Sequence, residues 1–245
     1  MSAVETLSAL VLGHTDYGDN DRIVQLITAE KGRISAIARG ARSSKRRFKG
    51  CLELGSRIQA TVRRGKGELW QFQAAELVHG HPHIRGFLES IALSAYCCEV
   101  VRETGRPEQP EPKLFGLLDV ALLVLDACTE PPKAGFRIGF EAKALSFAGL
   151  TPVLTQCAGC GEAAQGPMVW SVRGGGMTHE SCGAGPKLDP AWGQAVEAFR
   201  RTPLAELVDT EAPAGGNQWL LSELMIWHQG RPLRSRELLI TLGTV

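Results

Sequence analysis

No stretch of this 245-residue sequence approaches the roughly 18 consecutive apolar residues that a membrane-crossing helix needs. The opening segment, MSAVETLSALVLGH, lacks the basic start of a secretory signal and runs directly into alternating apolar positions, so no signal peptide is expected. A nucleotide-binding phosphate loop is also missing. Gly65-Lys66-Gly67 is too short for one, and no glycine-rich turn from strand to helix precedes a Lys-Ser or Lys-Thr pair. No Ser/His/Asp arrangement or paired-carboxylate site can be defended from spacing. Asp16, Asp19 and Asp21 have the density of a calcium loop, but its glycine and terminal glutamate fall in the wrong places, so these acids are expected to cap a turn. These absences argue against an enzyme.

The seven cysteines are an odd number, and three of them, Cys157, Cys160 and Cys182, crowd together late in the chain. That pattern argues against a fully paired disulfide framework. It favours reduced thiols in a cytoplasmic protein, with the late cluster serving a metal.

Acidic residues are scarce in one place. Residues 1–80 hold 13 Lys and Arg against 8 Asp and Glu, while the remainder hold 14 against 18, so the overall charge of +1 conceals a basic N-terminal part. Between Arg39 and Lys66 stand Arg39, Arg42, Lys45, Arg46, Arg47, Lys49, Arg57, Arg63, Arg64 and Lys66, with Glu53 the one acid among them. Around these charges the apolar residues alternate with a period of two, as in Ile34-Ser35-Ala36-Ile37 and Ile58-Gln59-Ala60-Thr61-Val62. A sheet with loops this basic suits a polyanion. Arg39, Arg42, Lys45, Arg46, Arg47, Lys49, Arg63, Arg64 and Lys66 are the expected phosphate contacts.

The expected strands are Thr6 to His14, Ile23 to Thr28, Arg33 to Arg39, about Leu52 to Val62, and Glu68 to Val78, with a charged linker, Ala41 to Gly50, outside the core. Five short strands without an intervening long helix suggest a small closed barrel. An OB-fold leads, and an SH3-like barrel is the alternative. Trp70 and Phe72 fall on the same side of the last strand, available to stack on bases or to pack in the core. The segment His79-Gly80-His81-Pro82-His83 reads as a polar turn between domains rather than a metal site.

Helical periodicity follows over Ile84 to Glu103, Lys113 to Cys128 and Lys133 to Ala148, with Cys97, Cys98 and Cys128 as small core hydrophobes. Residues 157–182 then read Cys-x2-Cys, an eighteen-residue spacer, and His-x2-Cys. Two short chelating knuckles joined by a hairpin supply four ligands for a tetrahedral zinc: Cys157, Cys160, His179 and Cys182. All four positions are filled and nothing suggests an acid poised for catalysis there, so one structural zinc is expected. Helical pattern resumes at Leu188 to Arg200 and Asn217 to Gln229, which makes the metal module an insertion. Arg231, Arg234 and Arg236 form a late basic triplet beside an apolar stripe. It could receive an acidic peptide or simply make caps and surface pairs.

With these parts laid out, the chain resembles the RecO family of bacterial recombination mediators nearly end to end. The resemblance rests on the opening ALVLGHTDYGDNDRIVQLITAEKGRISAIARGARSSKRRFKGCLELGSRIQATVRRGKGELW, on the Cys157/Cys160 and His179/Cys182 knuckles, and on GRPLRSRELL near the end. One departure is visible: members with this module commonly carry cysteine where His179 stands. The resemblance implies an α+β multidomain protein: an OB-fold over 1–80, a helical domain over 81–152 and 187–245, and a zinc-ribbon-like insertion over 153–186. It implies binding of single- and double-stranded DNA, annealing of complementary strands, and help in loading RecA onto strands coated by single-strand binding protein. The implied partners are DNA, RecR and the acidic tail of single-strand binding protein, in the cytoplasm and near the nucleoid, with no membrane. The alternative is an interaction scaffold whose barrel docks a partner protein, with DNA binding secondary.

Overall fold

The computed structural model describes residues 3–44, 47–48, 50–65 and 67–243. It divides into two compact units, Met1–Ala127 and Cys128–Val245. Four of the expected phosphate contacts, Lys45, Arg46, Lys49 and Lys66, lie outside the described residues.

In the first unit five strands, β1 (Val4–Tyr17), β2 (Asp21–Thr28), β3 (Gly32–Ala38), β4 (Arg57–Arg63) and β5 (Trp70–His79), close a barrel in the order β1-β2-β3-β5-β4. All neighbours are antiparallel except β3 and β5, which run parallel over a short register. This is the OB-fold arrangement. Closure depends on the length of β1. Its first half pairs with β4 and its second half with β2, and the pairing shifts register between Val11 and Gly13, where a bulge lets the strand turn from one neighbour to the other.

The period-two pattern fills the barrel from Leu7, Ala9, Val11, Val24, Leu26, Ile34, Ala36, Ile58, Ala60 and Val62. Leu10, Leu12 and Ile27 have the opposite parity yet are fully buried. They lie on the barrel's outside, where α1 (Leu88–Thr104) and α2 (Pro112–Ala127) pack against β1 and β2. The charged linker is less solvent-bound than its composition suggests. Phe48 and Leu52 join the barrel core, and Phe48 meets Phe72 at 5.3 Å between ring centroids. One aromatic plug among cations leaves no periodic trace, which is why the linker reads as wholly polar.

Other boundaries differ as well. The fourth strand starts at Arg57, because residues 50–55 are turns. The first long helix starts at Leu88, after a 3-10 turn over Pro82–Gly86 in which Pro82 takes the first position. The chain between Gly105 and Glu111 runs beside β3, with Arg33 bridging Pro107 in parallel. Gly32 makes this approach possible: a Cβ there would lie 1.8 Å from the carbonyl oxygen of Gln109.

The second unit is built around α3 (Ala134–Phe147), buried over nearly its whole surface and packed by α4 (Pro190–Arg201) and α5 (Leu220–Gln229). Burying Arg137 there requires partners. It pairs with Glu141 at 2.6 Å, donates to the Gln218 carbonyl at 3.1 Å, and lies 3.8 Å from the centroid of the Trp219 ring. A small sheet of β6 (Met168–Ser171), β7 (Gly176–His179) and β8 (Lys187–Leu188), in the order β7-β6-β8, precedes α4. Trp170 of that sheet and Trp192 of α4 meet edge to face at 5.7 Å. A last helix, α6 (Arg234–Leu242), ends the described chain. Among the described residues no helix is long and apolar enough to cross a membrane.

Candidate functional site

The two knuckles expected from spacing come together. One ligand atom from each of Cys157, Cys160, His179 and Cys182 lies within 4.8 Å of the others. Local chain geometry explains this. β6 and β7 form the expected hairpin, which places His179 at the end of β7. The first knuckle is laid against the same strand by the N–H of Ala158, which donates to the Met177 carbonyl at 2.7 Å. Each knuckle closes as a matching turn. The N–H of Gly161 donates to the Cys157 carbonyl at 2.8 Å, and that of Gly183 to the His179 carbonyl at 3.1 Å.

The donor set suits a soft or borderline cation such as zinc, and the surroundings fit one. Cys157 is fully buried, and its sulfur accepts N–H groups from His179 at 3.3 Å and Gly159 at 3.4 Å. Burial resists ionisation of that thiol, but backbone donors from His179, Cys160 and Gly159 outweigh it and bring the pKa to about 6. Gly159 leaves the cradle open, since a Cβ there would stand 2.9 Å from the Cβ of Cys182. The remaining cysteines differ in kind. Cys97 and Cys98 are fully buried, and burial pushes the Cys98 thiol up to about 12, so it is inert.

The basic face of the barrel is more selective than its composition implies. Arg39 and Arg47 are exposed and line an open hollow of about 310 Å³ with Ile37, Gln71, Phe72 and Gln73. Arg47 donates to the Arg39 carbonyl at 2.5 Å, and Arg63 donates to the Gln71 side-chain oxygen at the same distance. Arg39, Arg47 and Arg63 therefore gather round Gln71. Arg42 and Arg64 do not share that arrangement. Arg42 pairs with Asp16 at 3.6 Å and donates to the Asp19 carbonyl at 3.1 Å, while Arg64 is ion-paired with Glu108. Both acids lie outside the acid-poor window from Arg39 to Lys66, so counting charges along the chain could not find them. Asp21 caps a turn as expected, accepting the N–H of Gly40 at 2.8 Å.

Trp70 and Phe72 are both buried, at 5% and 3% exposure, so neither offers a face for stacking on bases. In the second unit Arg234 is exposed, whereas Arg236 pairs with Glu223 at 3.7 Å and lies over the Trp219 ring at 5.4 Å. The family signature covers both units. The family model for the N-terminal part of recombination protein O matches residues 1–81, and the model for its C-terminal part matches residues 85–237. The chain belongs to the RecO family. It is 38% identical over 97% of its length to the DNA repair protein RecO of Anaeromyxobacter dehalogenans strain 2CP-C, covering 96% of that protein. It is 35% identical to the DNA repair protein RecO of Myxococcus xanthus over 96% of both chains, and 44% identical to that of Pelobacter propionicus over 64% of this chain and 63% of that one. Membership of the RecO family supports a role in DNA repair.

Proposed function

We propose that this chain is a recombination mediator without enzymatic activity: it binds single- and double-stranded DNA, anneals complementary strands and assists RecA loading on strands coated by single-strand binding protein. The observation that carries this reading is the gathering of Arg39, Arg47 and Arg63 round Gln71 on an OB-fold barrel, in a chain of the RecO family. Two strands repel through their phosphates, and a guanidinium cluster that neutralises one strand lowers the cost of bringing up the second. Phosphate contacts hold DNA without reading sequence, so binding is sequence-tolerant and salt-sensitive. Lys45, Arg46, Lys49 and Lys66 add charge to the same segment of sequence, and Arg42 and Arg64 contribute once their acids are displaced.

In this reading Cys157, Cys160, His179 and Cys182 hold one structural zinc. Its chemistry is that of a crosslink, closing both knuckles on the β6–β7 hairpin and fixing residues 153–186 as an insertion between the helical stretches 81–152 and 187–245. Arg231, Arg234 and Arg236 are assigned to the acidic tail of single-strand binding protein. The exposed Leu238 and Ile240 of α6 are the apolar neighbours for its hydrophobic end. RecR is the further protein partner, and the work is done in the cytoplasm beside the nucleoid.

The test is annealing of complementary strands coated with single-strand binding protein, comparing the natural chain with Arg39→Gln/Arg47→Gln/Arg63→Gln. The natural chain accelerates annealing, leaves both strands intact in the presence of a divalent ion, and loses at least about tenfold of the acceleration in the variant, as expected for three lost phosphate contacts. Cleaved strands, or full annealing by the variant, would contradict the reading.

A further inference from the structure

At the end of β5 the chain places a second group of metal-binding side chains, which shares no residue with the cysteine knuckles. His79 closes β5, His81 leads into the 3-10 turn, and Asp126 stands one residue before the end of α2. One ligand atom from each of the three lies within 4.8 Å of the others.

The arrangement of Asp126 leaves one oxygen available. Its Oδ1 accepts the N–H groups of His83 at 2.7 Å and Ile84 at 3.2 Å, capping the 3-10 turn. Its Oδ2 faces His79 Nε2 at 4.0 Å and His83 Nδ1 at 3.5 Å, distances too long for hydrogen bonds. A carboxylate at the C-terminal end of a helix is poorly placed against the helix dipole and gains from a cation.

His81 carries the independent observation. Its residue is 4% exposed, and neither ring nitrogen has a hydrogen-bond partner. A buried imidazole left unmet is costly, and an incoming cation satisfies one of those nitrogens. The backbone there is strained as well, at φ 46 and ψ 61, in the left-handed region that a histidine adopts only when its surroundings hold it. The effect of that conformation is to turn the ring inwards, 4.4 Å from the ring of His79.

We infer that His79, His81 and Asp126 form a second cation site, specific for a borderline first-row divalent ion of the zinc class, with His83 beside it as a fourth donor. Two imidazoles and a single carboxylate select such ions over magnesium or calcium, which favour oxygen. Bonds of about 2.0–2.2 Å bring tetrahedral ligand atoms to roughly 3.3 Å apart, so the three groups close inwards on binding. His79 is the ring that moves. Its Nδ1 now accepts the N–H of His81 at 3.1 Å, which puts the proton of the neutral ring on Nε2. Turning the ring over frees Nε2 as the ligand and directs Nδ1–H to solvent, a rotation open to a side chain 41% exposed. Once filled, the site ties the last barrel strand to the end of α2.

The experiment measures zinc per chain after equilibration and desalting, with cobalt spectra and thermal unfolding alongside. The natural chain retains two equivalents. Cys160→Ser/Cys182→Ser retains one, and its cobalt form lacks the intense thiolate charge-transfer absorption. Asp126→Asn keeps an oxygen to cap the turn but gives up the charge, and it also retains one, now with thiolate absorption. His81→Asn, which suits the left-handed backbone, does the same. Zinc raises the unfolding temperature of the cysteine variant and leaves that variant combined with Asp126→Asn unmoved. A cysteine variant with none, or an Asp126→Asn chain that retains as much zinc as the natural chain, would each overturn the inference; a natural chain and a cysteine variant with one equivalent each would instead count against zinc at the cysteines.

Discussion

The indole Nε1 of Trp70 donates to the carboxylate of Glu108 at 3.0 Å, and the same oxygen receives Arg64. Arg64 in turn lies 5.3 Å from the centroid of the Trp70 ring, and Lys31 lies 5.9 Å from it. Glu108 reaches this position with a left-handed backbone, φ 53, and its N–H donates to the Arg33 carbonyl at 3.0 Å. The hydrogen bond from Arg64, ahead of the indole and the charge of Lys31, holds its carboxyl below the usual range against partial desolvation. On the proposed function, Glu108 occupies the place on Arg64 that a DNA phosphate would take.

Glu108→Gln keeps an oxygen for the indole and removes the charge. On the proposed function it tightens binding of single-stranded DNA, and the slope of log K against log salt steepens by roughly 0.7, the value of one added phosphate contact. A fluorescence titration at several salt concentrations reads both. Unchanged affinity and slope would put Arg64 outside the DNA path.

Gly32 predicts a stability effect with a built-in control. Gly32→Ala combines a left-handed φ of 61° with a Cβ driven to 1.8 Å from the Gln109 carbonyl. Gly18 has a similar φ, 57°, with nothing within 4 Å of its Cβ. In urea unfolding Gly18→Ala costs about 1 kcal/mol, and Gly32→Ala costs about 2–3 kcal/mol. Equal losses would mean that the segment running beside β3 yields freely.

The barrel could be read in the sequence because alternation at Ile34 to Ile37 and Ile58 to Val62 is a property of the strands themselves, and glycine turns mark their ends. The cysteine knuckles could be read because their spacing is short-range and chemical. Three things depended on tertiary contact and left no local trace. Phe48 fills the barrel from a segment that is otherwise charged. Asp16 and Glu108 neutralise Arg42 and Arg64 from distant stretches. His81 is turned inwards by one left-handed residue beside Asp126, 45 positions further along the chain.

On the proposed function, loss of the cation held by Cys157, Cys160, His179 and Cys182 separates stability from DNA binding. Cys160→Ser lowers stability by an amount on the order of 3 kcal/mol or more, since closing the knuckles is coupled to folding. Its salt slope for single-stranded DNA stays that of the natural chain. Thermal unfolding and the same titration measure the two effects. A variant as stable as the natural chain would remove the structural role of the site.

Glu197 in α4 gives a pH dependence with a definite sign. Its carboxylate takes Arg200 through two hydrogen bonds of 2.6 and 2.7 Å and Arg201 through two of 2.6 and 2.9 Å. The bond from Arg200 is the largest cause holding its pKa down, partly opposed by burial and supported by Arg201. A depressed acid stabilises the fold above its unfolded pKa, and that contribution fades as pH falls through the folded value. At pH 7 Glu197→Gln costs about 1 kcal/mol in chemical unfolding. The gap between the two chains narrows below pH 4.5, the ordinary value for this carboxyl. A gap that stays constant with pH would mean that the ion pairs contribute nothing.

The measurement closest to the central claim is binding of fluorescent single-stranded DNA across a salt series, comparing the natural chain with Arg39→Gln/Arg47→Gln/Arg63→Gln. The expected slope is roughly −3 for the natural chain and shallower by about 2 in the variant, because three guanidinium–phosphate contacts are lost. Equal slopes in the two proteins would contradict it, since the DNA would then bind somewhere other than round Gln71.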